Sequence, residues 1–140
     1  MIKVLVSADS RFPVCRPKIR EAVEGLLLQK RITSDAEVSV LICGTRKSRE
    51  LAKKYLNDDK PHNVLAFPLA DEGEEPAFPT GRSAKGFVEF QNGLLMLGDI
   101  VVCYPLAQEE ANTDNVLVIE KICELVEHGL LHLLGEHHKE

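Results

Sequence analysis

The feature that most constrains this chain is a histidine pattern in the leucine-rich segment HGLLHLLGEHH, residues 128–138. Its first two histidines, His128 and His132, are four residues apart, so on a helix both imidazoles project from one face. Gly135 follows three residues later, and a glycine can end a helix in the left-handed conformation and turn the chain back. The segment therefore predicts a helix and a following turn that together build a metal site.

The spacing narrows the kind of metal site. Three protein ligands and one open position are typical of catalytic zinc. Either His137 or His138 is near enough in sequence to be the third ligand, and the spacing H-x3-H-x2-G-x2-H favours His138 because metzincin proteases share it. Those proteases carry a glutamate general base directly after the first histidine, where this chain has Gly129. A protease is therefore disfavoured, while nickel, copper or iron would suit three imidazoles as well as zinc does.

The leucines around the histidines lead to a further expectation. Side chains embedded in an apolar helix would be buried, and buried imidazoles need a partner. We therefore expect these histidines to be buried and to bind an ion.

Composition limits the class of protein. A chain of 140 residues, 44% of them hydrophobic, predicts one domain over residues 1–140 with its own core. No apolar run is long enough to span a membrane, and Met1 to Ser7 lack the cleavage pattern of a secretory signal. We therefore expect a cytoplasmic protein without a membrane partner. The four cysteines show no C-x-x-C spacing, which indicates small buried side chains rather than ligands or disulfides.

Hydrophobic periodicity predicts alternating strands and helices, followed by a run of strands. Strands are expected over 2–7, 36–43, 63–68 and 99–103, a hairpin over 86–97 around Asn92-Gly93, an exposed loop over 69–85, and helices over 17–30, 46–56 with Thr45 as N-cap, and 108–134. The order β-α-β-α-β-β-β-α predicts a mixed sheet in an α+β or α/β fold.

Charge is distributed unevenly along the chain. Residues 1–60 carry 13 Lys and Arg against 8 Asp and Glu, whereas residues 61–140 carry 4 against 14. A basic half can form a local phosphate-binding face even in an acidic protein. The basic residues that could form such a face include Arg46, Lys53, Lys54 and Lys60, although solvated charges on a helix surface would give the same pattern.

Three sequence blocks, in order, resemble one protein family. The histidine segment is similar to the signature H-G-x-L-H-L-x-G-Y-D-H of the YbeY family, bacterial endoribonucleases and ribosomal RNA maturation factors. Residues 59–68, DKPHNVLAFP, look like the family's D-x-P-T-[DN]-V-L-S-F-P, and residues 97–102, LGDIVV, look like its L-G-D-I-V-I. The resemblance covers roughly residues 36–138 and, weakly, the start of the chain.

The resemblance implies a single α+β domain with a mixed central sheet flanked by helices. It implies one Zn²⁺ per chain, held by His128, His132 and His138 on the C-terminal helix and the turn after it. It also implies cleavage of single-stranded RNA in the cytoplasm, maturation of the 3′ end of the small-subunit ribosomal RNA, and ribosome quality control. The partners would be ribosomal RNA and the small ribosomal subunit, with Arg46, Lys53, Lys54 and Lys60 as the candidates that would hold the RNA backbone. No catalytic side chain is predicted beyond the water that the ion would activate.

The chain departs from the family pattern at three places. Leu56 follows Tyr55 where the family has an arginine, Glu136 and His137 replace a tyrosine and an aspartate, and residues 69–97 are longer and acidic. Two alternatives therefore stay open. One is another zinc hydrolase, and the other is a zinc-containing, ribosome-associated binding protein with weak or no nuclease activity.

Overall fold

A computed structural model describes residues 2–32, 34–68, 89–91 and 94–135 of the chain. These residues form an α+β fold, as the resemblance implied. The elements are β1 (Ile2–Ala8), α1 (Arg16–Gln29), β2 (Ala36–Cys43), α2 (Thr45–Leu56), β3 (Val64–Phe67), β4 (Glu89–Gln91), β5 (Leu94–Cys103), α3 (Tyr104–Asp114) and α4 (Val118–Leu133). Within the described ranges, every helix is too short or too polar to cross a membrane.

The sheet is mixed and has β5 near its centre. Strands β1, β2 and β5 run parallel, with Val4 opposite Val38 and Val40 opposite Ile100. Strands β3 and β4 both pair antiparallel with β5, alongside its later and earlier residues respectively. Parallel neighbours need a crossover connection, and α1 provides it between β1 and β2.

Helices cover both faces of the sheet because its strands are apolar on both sides. On one face, α1, α3 and α4 enclose the larger core, where residues such as Ile100 and Leu130 are fully buried. On the other face, α2 covers a smaller cluster that includes Leu51, Phe67 and Val101. Cys43 and Cys103 are buried, as predicted for small apolar side chains, whereas Cys15 and Cys123 are only partly buried. The strands are thus held between two layers of helices.

The predicted helix over 108–134 is wrong, because the structure has two helices in this region. The first, α3, already begins at Tyr104, and the break falls at Asn115, whose φ of 58° is left-handed. Asparagine tolerates this conformation better than most residues. The next helix, α4, starts with a capping contact in which the Leu117 N–H donates to the Glu120 carboxylate at 3.0 Å. Apolar spacing continues across the break, so periodicity alone could not reveal it.

The predicted hairpin is confirmed by its strand pairing. Gln91 lies opposite Leu94, so two residues connect β4 to β5. Those two residues, Asn92 and Gly93, lie outside the described residues, as do the predicted loop over 69–85 and most of the longer acidic segment over 69–97.

The predicted strand over 99–103 is the second half of the ten-residue strand β5. The pairing with β2 shifts between Glu37 and Val38, which leaves Leu97 as the extra residue of a bulge. Gly98 has a φ of 130°, and a Cβ there would lie 2.4 Å from the Phe67 carbonyl oxygen. Both the positive φ and the close approach of Phe67 therefore require glycine at position 98.

The remaining difference concerns the start of α2. Its N-cap is Gly44 instead of the predicted Thr45, which is the first residue of the helix.

Candidate metal centre

The last turns of α4 carry the two histidines that the sequence singled out. The helix is fixed in rotation by a buried stripe that includes Ile122, Val126 and Leu130. His128 and His132 lie beside this stripe, with their Nε2 atoms 3.2 Å apart and their rings in an edge-to-face arrangement. Helical spacing therefore brings the two imidazoles together, as predicted.

This distance fits two ligands of one ion. With zinc–nitrogen bonds of about 2.0–2.1 Å and tetrahedral angles, two imidazole nitrogens are about 3.3 Å apart. The same separation also suits a hydrogen bond between a protonated and an unprotonated ring nitrogen. Two nitrogens that already face each other therefore have the chemistry and spacing that a transition metal needs.

A complete ligand set is not formed within the part of the chain that the structure describes. There, no three His, Cys, Asp or Glu side chains form a group that could hold an ion. The predicted third ligand, His138, and its neighbours Glu136 and His137 lie outside the described residues. The third ligand stays a prediction.

The expectation that the histidines are buried is wrong. His128 is half-buried and His132 is exposed, because Leu130 and Leu133 take the face of α4 that contacts the core. Metal binding is therefore indicated by the convergence of the two nitrogens and not by their burial.

Two glycines shape the helix around these histidines. Gly135 has a φ of 84° and its N–H donates to the His132 carbonyl, so it ends the helix as predicted. Gly129 is buried, and a Cβ there would lie 2.9 Å from the Ile100 side chain. The position that holds the protease glutamate is thus pressed against the sheet, where a longer side chain would force α4 away.

A cleft of about 380 Å³ opens in front of the two histidines. Strand β3, at the edge of the sheet, forms one wall, and α4 forms another. The described lining residues are Leu56, His62, Asn63, Val64, Leu65, Ala66, Phe67, His128, Gly129 and His132. The second sequence block and the histidine segment, far apart in the chain, therefore face the same space.

Hydrogen bonds fix the segment that leads into β3. The Ser48 hydroxyl, fully buried in α2, donates to the His62 carbonyl and accepts from the His62 N–H, at 2.9 and 3.0 Å. The Asn63 amide donates to Glu110 of α3 at 2.7 Å, and its oxygen accepts from the Val64 N–H. This wall of the cleft is therefore tied to both α2 and α3.

A histidine outside the predicted ligand set also reaches this cleft. His62 lies in the loop between α2 and β3 and lines the cleft, and its Nε2 is 2.9 Å from Asp58 Oδ2. Sequence reasoning missed this position. The available signal was the block over 59–68, where this chain has a histidine and the similar family pattern has threonine.

The predicted RNA-binding residues lie outside this cleft. Arg46 and Lys53 line a neighbouring cleft of about 450 Å³ on α2, whereas Lys54 lies over the Tyr55 ring with Nζ 5.2 Å from its centroid. Lys60 is exposed in the loop after α2 and is absent from the described lining of either cleft. At the position of the family arginine, Leu56 lines the histidine cleft without a charge.

Ion pairs partly neutralise the neighbouring cleft. Arg46 pairs with Glu50 at 3.4 Å, and Arg49 donates to Asp59 at 2.8 Å. The second contact raises the pKa of Arg49 and lowers the pKa of Asp59. Among the described lining residues, three basic side chains face two acidic ones, so the cleft keeps a positive excess.

Comparison with known proteins shows which protein family this chain matches. Residues 9–140 match the sequence model of the family described as Endoribonuclease YbeY. A protein of that name from Clostridium botulinum (strain Loch Maree / Type A3) is 33% identical over 125 residues, covering 88% of this chain and 75% of that protein. Another from Geobacter metallireducens is 30% identical over 135 residues, covering 96% and 79%. The solution structure of TM1509 from Thermotoga maritima covers 97% of this chain and 75% of its own, with a TM-score of 0.56 at 24% identity, which supports the fold.

Proposed function

This chain belongs to the YbeY family, and from that membership we propose that it is a metal-dependent endoribonuclease specific for single-stranded RNA. The proposal includes a place in maturation of the small-subunit ribosomal RNA 3′ end and in ribosome quality control. Its partners would be ribosomal RNA and the small subunit, and its site of action the cytoplasm. The cofactor would be one Zn²⁺ per chain.

One observation carries the proposal. The Nε2 atoms of His128 and His132 converge to 3.2 Å at a cleft that is open to solvent. Such a pair can bind a transition metal, and His138 would complete a set of three that leaves a position for water or substrate.

In RNA cleavage the bound ion and the chain's own residues would have separate roles. A bound zinc ion would polarise a phosphoryl oxygen or activate water for attack on phosphorus. The β3 wall of the cleft is apolar, which suits the exposed bases of an unpaired strand better than a duplex. Arg46 and Lys53, both in the neighbouring cleft, would hold phosphates of the same strand next to the bond to be cleaved.

The test compares the parent chain with a His132→Ala variant. We expect the parent, purified without chelators, to contain about one metal ion per chain and to cleave single-stranded ribosomal RNA. His132 is exposed, so its replacement should leave folding intact while metal content and cleavage both fall. Equal cleavage by the two proteins would indicate a contaminating nuclease and contradict the proposal.

A second function has a specific observation in its favour. Leu56 leaves the histidine cleft without an arginine or lysine side chain among its described lining residues, so stabilisation of a phosphoryl transition state would be weaker. A zinc-containing, ribosome-associated binding protein would need no such group. The parent would then bind metal and RNA but leave the RNA intact, and loss of metal would lower its stability rather than an activity.

The other alternative, a different zinc hydrolase acting on a peptide or a small molecule, has less support. Gly129 occupies the position of the protease base and is packed against Ile100. No room remains there for a glutamate.

A further inference from the structure

The loop before β3 brings a second functional group to the histidine cleft. His62 lies there with one third of its side chain exposed, and its Nε2 is 2.9 Å from Asp58 Oδ2. The carboxylate fixes the orientation of the ring, an arrangement that proteins use for imidazoles that transfer protons.

The backbone of His62 is as firmly held as its ring. Its N–H and its carbonyl both bond to the hydroxyl of Ser48, a fully buried residue of α2. These two bonds involve main-chain atoms, so they survive replacement of the side chain. Among the described residues, Nδ1 of His62 has no hydrogen-bond partner, which leaves this nitrogen able to exchange a proton with a substrate in the cleft.

His62 is not a third metal ligand in this arrangement. A ligand nitrogen must lie about 2.0–2.1 Å from zinc. Yet no group of three potential ligands forms within the described residues, although His62, His128 and His132 line one cleft. His62 therefore faces the same space from beyond coordination distance.

The composition of the cleft leaves His62 a distinct task. Among the described residues that line the cleft, His62 is the only ionisable side chain besides His128 and His132. Cleavage of a phosphodiester expels a ribose oxygen, which is a poor leaving group unless it receives a proton. General acid catalysis of this kind contributes about 10²–10⁴-fold to a rate.

We propose that His62 donates a proton to the departing ribose oxygen during RNA hydrolysis and that Asp58 positions its ring. This inference rests on the proposed endoribonuclease function. As the bond from water oxygen to phosphorus forms, the bond to the ribose oxygen breaks with its electron pair on that oxygen, which takes the proton from His62 Nδ1. The proton released by the water returns to His62 through solvent, so the ring is restored after each turnover.

The experiment replaces the leaving oxygen with sulfur. The ends of the parent's products first identify which bridging oxygen departs. Two matched single-stranded RNAs are then compared, one with oxygen and one with sulfur at that position. A thiolate leaves without protonation, so the sulfur substrate does not need the donor.

We expect His62→Gln to lower kcat on the oxygen substrate by about 10²–10⁴-fold and to cleave the sulfur substrate at close to the parent rate. Asp58→Asn should show a smaller loss that also disappears with sulfur. Metal content and RNA affinity should match the parent in both variants, because neither residue belongs to the ligand pair. His62→Thr, which restores the residue of the family pattern, keeps both Ser48 bonds and should behave like His62→Gln.

Different outcomes would contradict the role of His62 and the proposed nuclease function. Glu24→Gln, an exposed change on α1, controls for purification and should match the parent on both substrates. Equal losses of His62→Gln on the two substrates, or no loss at all, would overturn the role of His62 while leaving the nuclease in place. A parent that binds metal but cleaves neither RNA would overturn the proposed function, and the role of His62 with it.

Discussion

At Gly129, the absence of a side chain sets how closely α4 approaches the sheet. A Cβ at this position would meet Ile100 at 2.9 Å and Val64 at 3.4 Å, and both neighbours belong to strands that are themselves packed. The residue between two candidate ligands is thus a packing residue. Its lack of volume keeps the histidines against the β3 wall.

Gly129→Ala should therefore lower the free energy of unfolding by about 1–3 kcal/mol, as overpacking of a core does. Gly25→Ala is a matched control, because a Cβ at this exposed position on α1 would meet nothing within 4 Å. It should raise stability by roughly 0.5–1 kcal/mol. Urea unfolding measures both changes, and shifts of the same sign would contradict this account of Gly129.

Asp9 offers a residue-scale prediction about pH. The Arg11 side chain and backbone N–H both donate to its carboxylate, and these bonds lower the pKa of Asp9 to about 2. Because the folded-state pKa lies below the ordinary value of 3.8, the carboxylate stabilises the fold above about pH 4. That contribution is lost as the pH falls towards 2.

Asp9→Asn should accordingly reduce stability slightly at pH 7, since solvent screens an exposed pair, and should have a much smaller effect near pH 2. Arg11→Gln removes the partner and should reproduce this pH dependence. Urea titrations at several pH values give the comparison. A deficit that persists unchanged at pH 2 would show that the pair is not its cause.

At the scale of elements, the sequence predicted what periodicity and turn chemistry encode. The alternating segment at 36–43, the two-residue hairpin connection and the glycine that ends α4 all appear as expected. Features that depend on the backbone conformation of one residue, or on pairing with a distant strand, could not be predicted from the hydrophobic pattern. Asn115 interrupts an unbroken apolar stripe, and the bulge at Leu97 depends on how β5 pairs with a distant strand.

In the candidate metal centre, too, the local geometry could be predicted from the sequence and the tertiary contacts could not. Helical spacing brought His128 and His132 together, because that geometry is local. The placement of His62 in their cleft depends on the packing of β3 against α4, a tertiary contact that no spacing rule encodes. The positions of Lys53 and Lys54 relative to the cleft also depend on tertiary packing. Their places along α2 predicted only that they lie on the surface.

The end of α4 should respond to metal. Zinc at 100-fold above its dissociation constant should raise the free energy of unfolding by about 2.7 kcal/mol if the ion binds only the folded chain. Amide exchange should slow most in the last turn, where the Leu134 N–H bonds to the Leu130 carbonyl. The double variant His128→Ala/His132→Ala should lose both effects, and an unchanged thermal shift in it would place the ion elsewhere.

For the whole molecule, charge distinguishes two sides. The cleft on α2 keeps a positive excess, whereas the groove between α1 and α4 is lined by Glu21, Glu120, Glu124 and Glu127 with one lysine, Lys18. Burial and the neighbouring Glu124 raise the pKa of Glu127, as expected where acidic groups crowd. A polyanion would therefore be attracted to the α2 side and repelled from the groove between α1 and α4.

The position of β5 has a consequence for synthesis of the chain. This strand lies between β2 and β3 in the sheet, although it follows both of them in sequence. Until residues 94–103 have been made, one edge of β2 has no neighbour, and a nascent chain with such an edge is prone to pair with other chains. Because α4 is made later still, the cleft between the paired imidazoles and β3 forms only after the sheet is complete. Uptake of an ion would then mark the completion of folding.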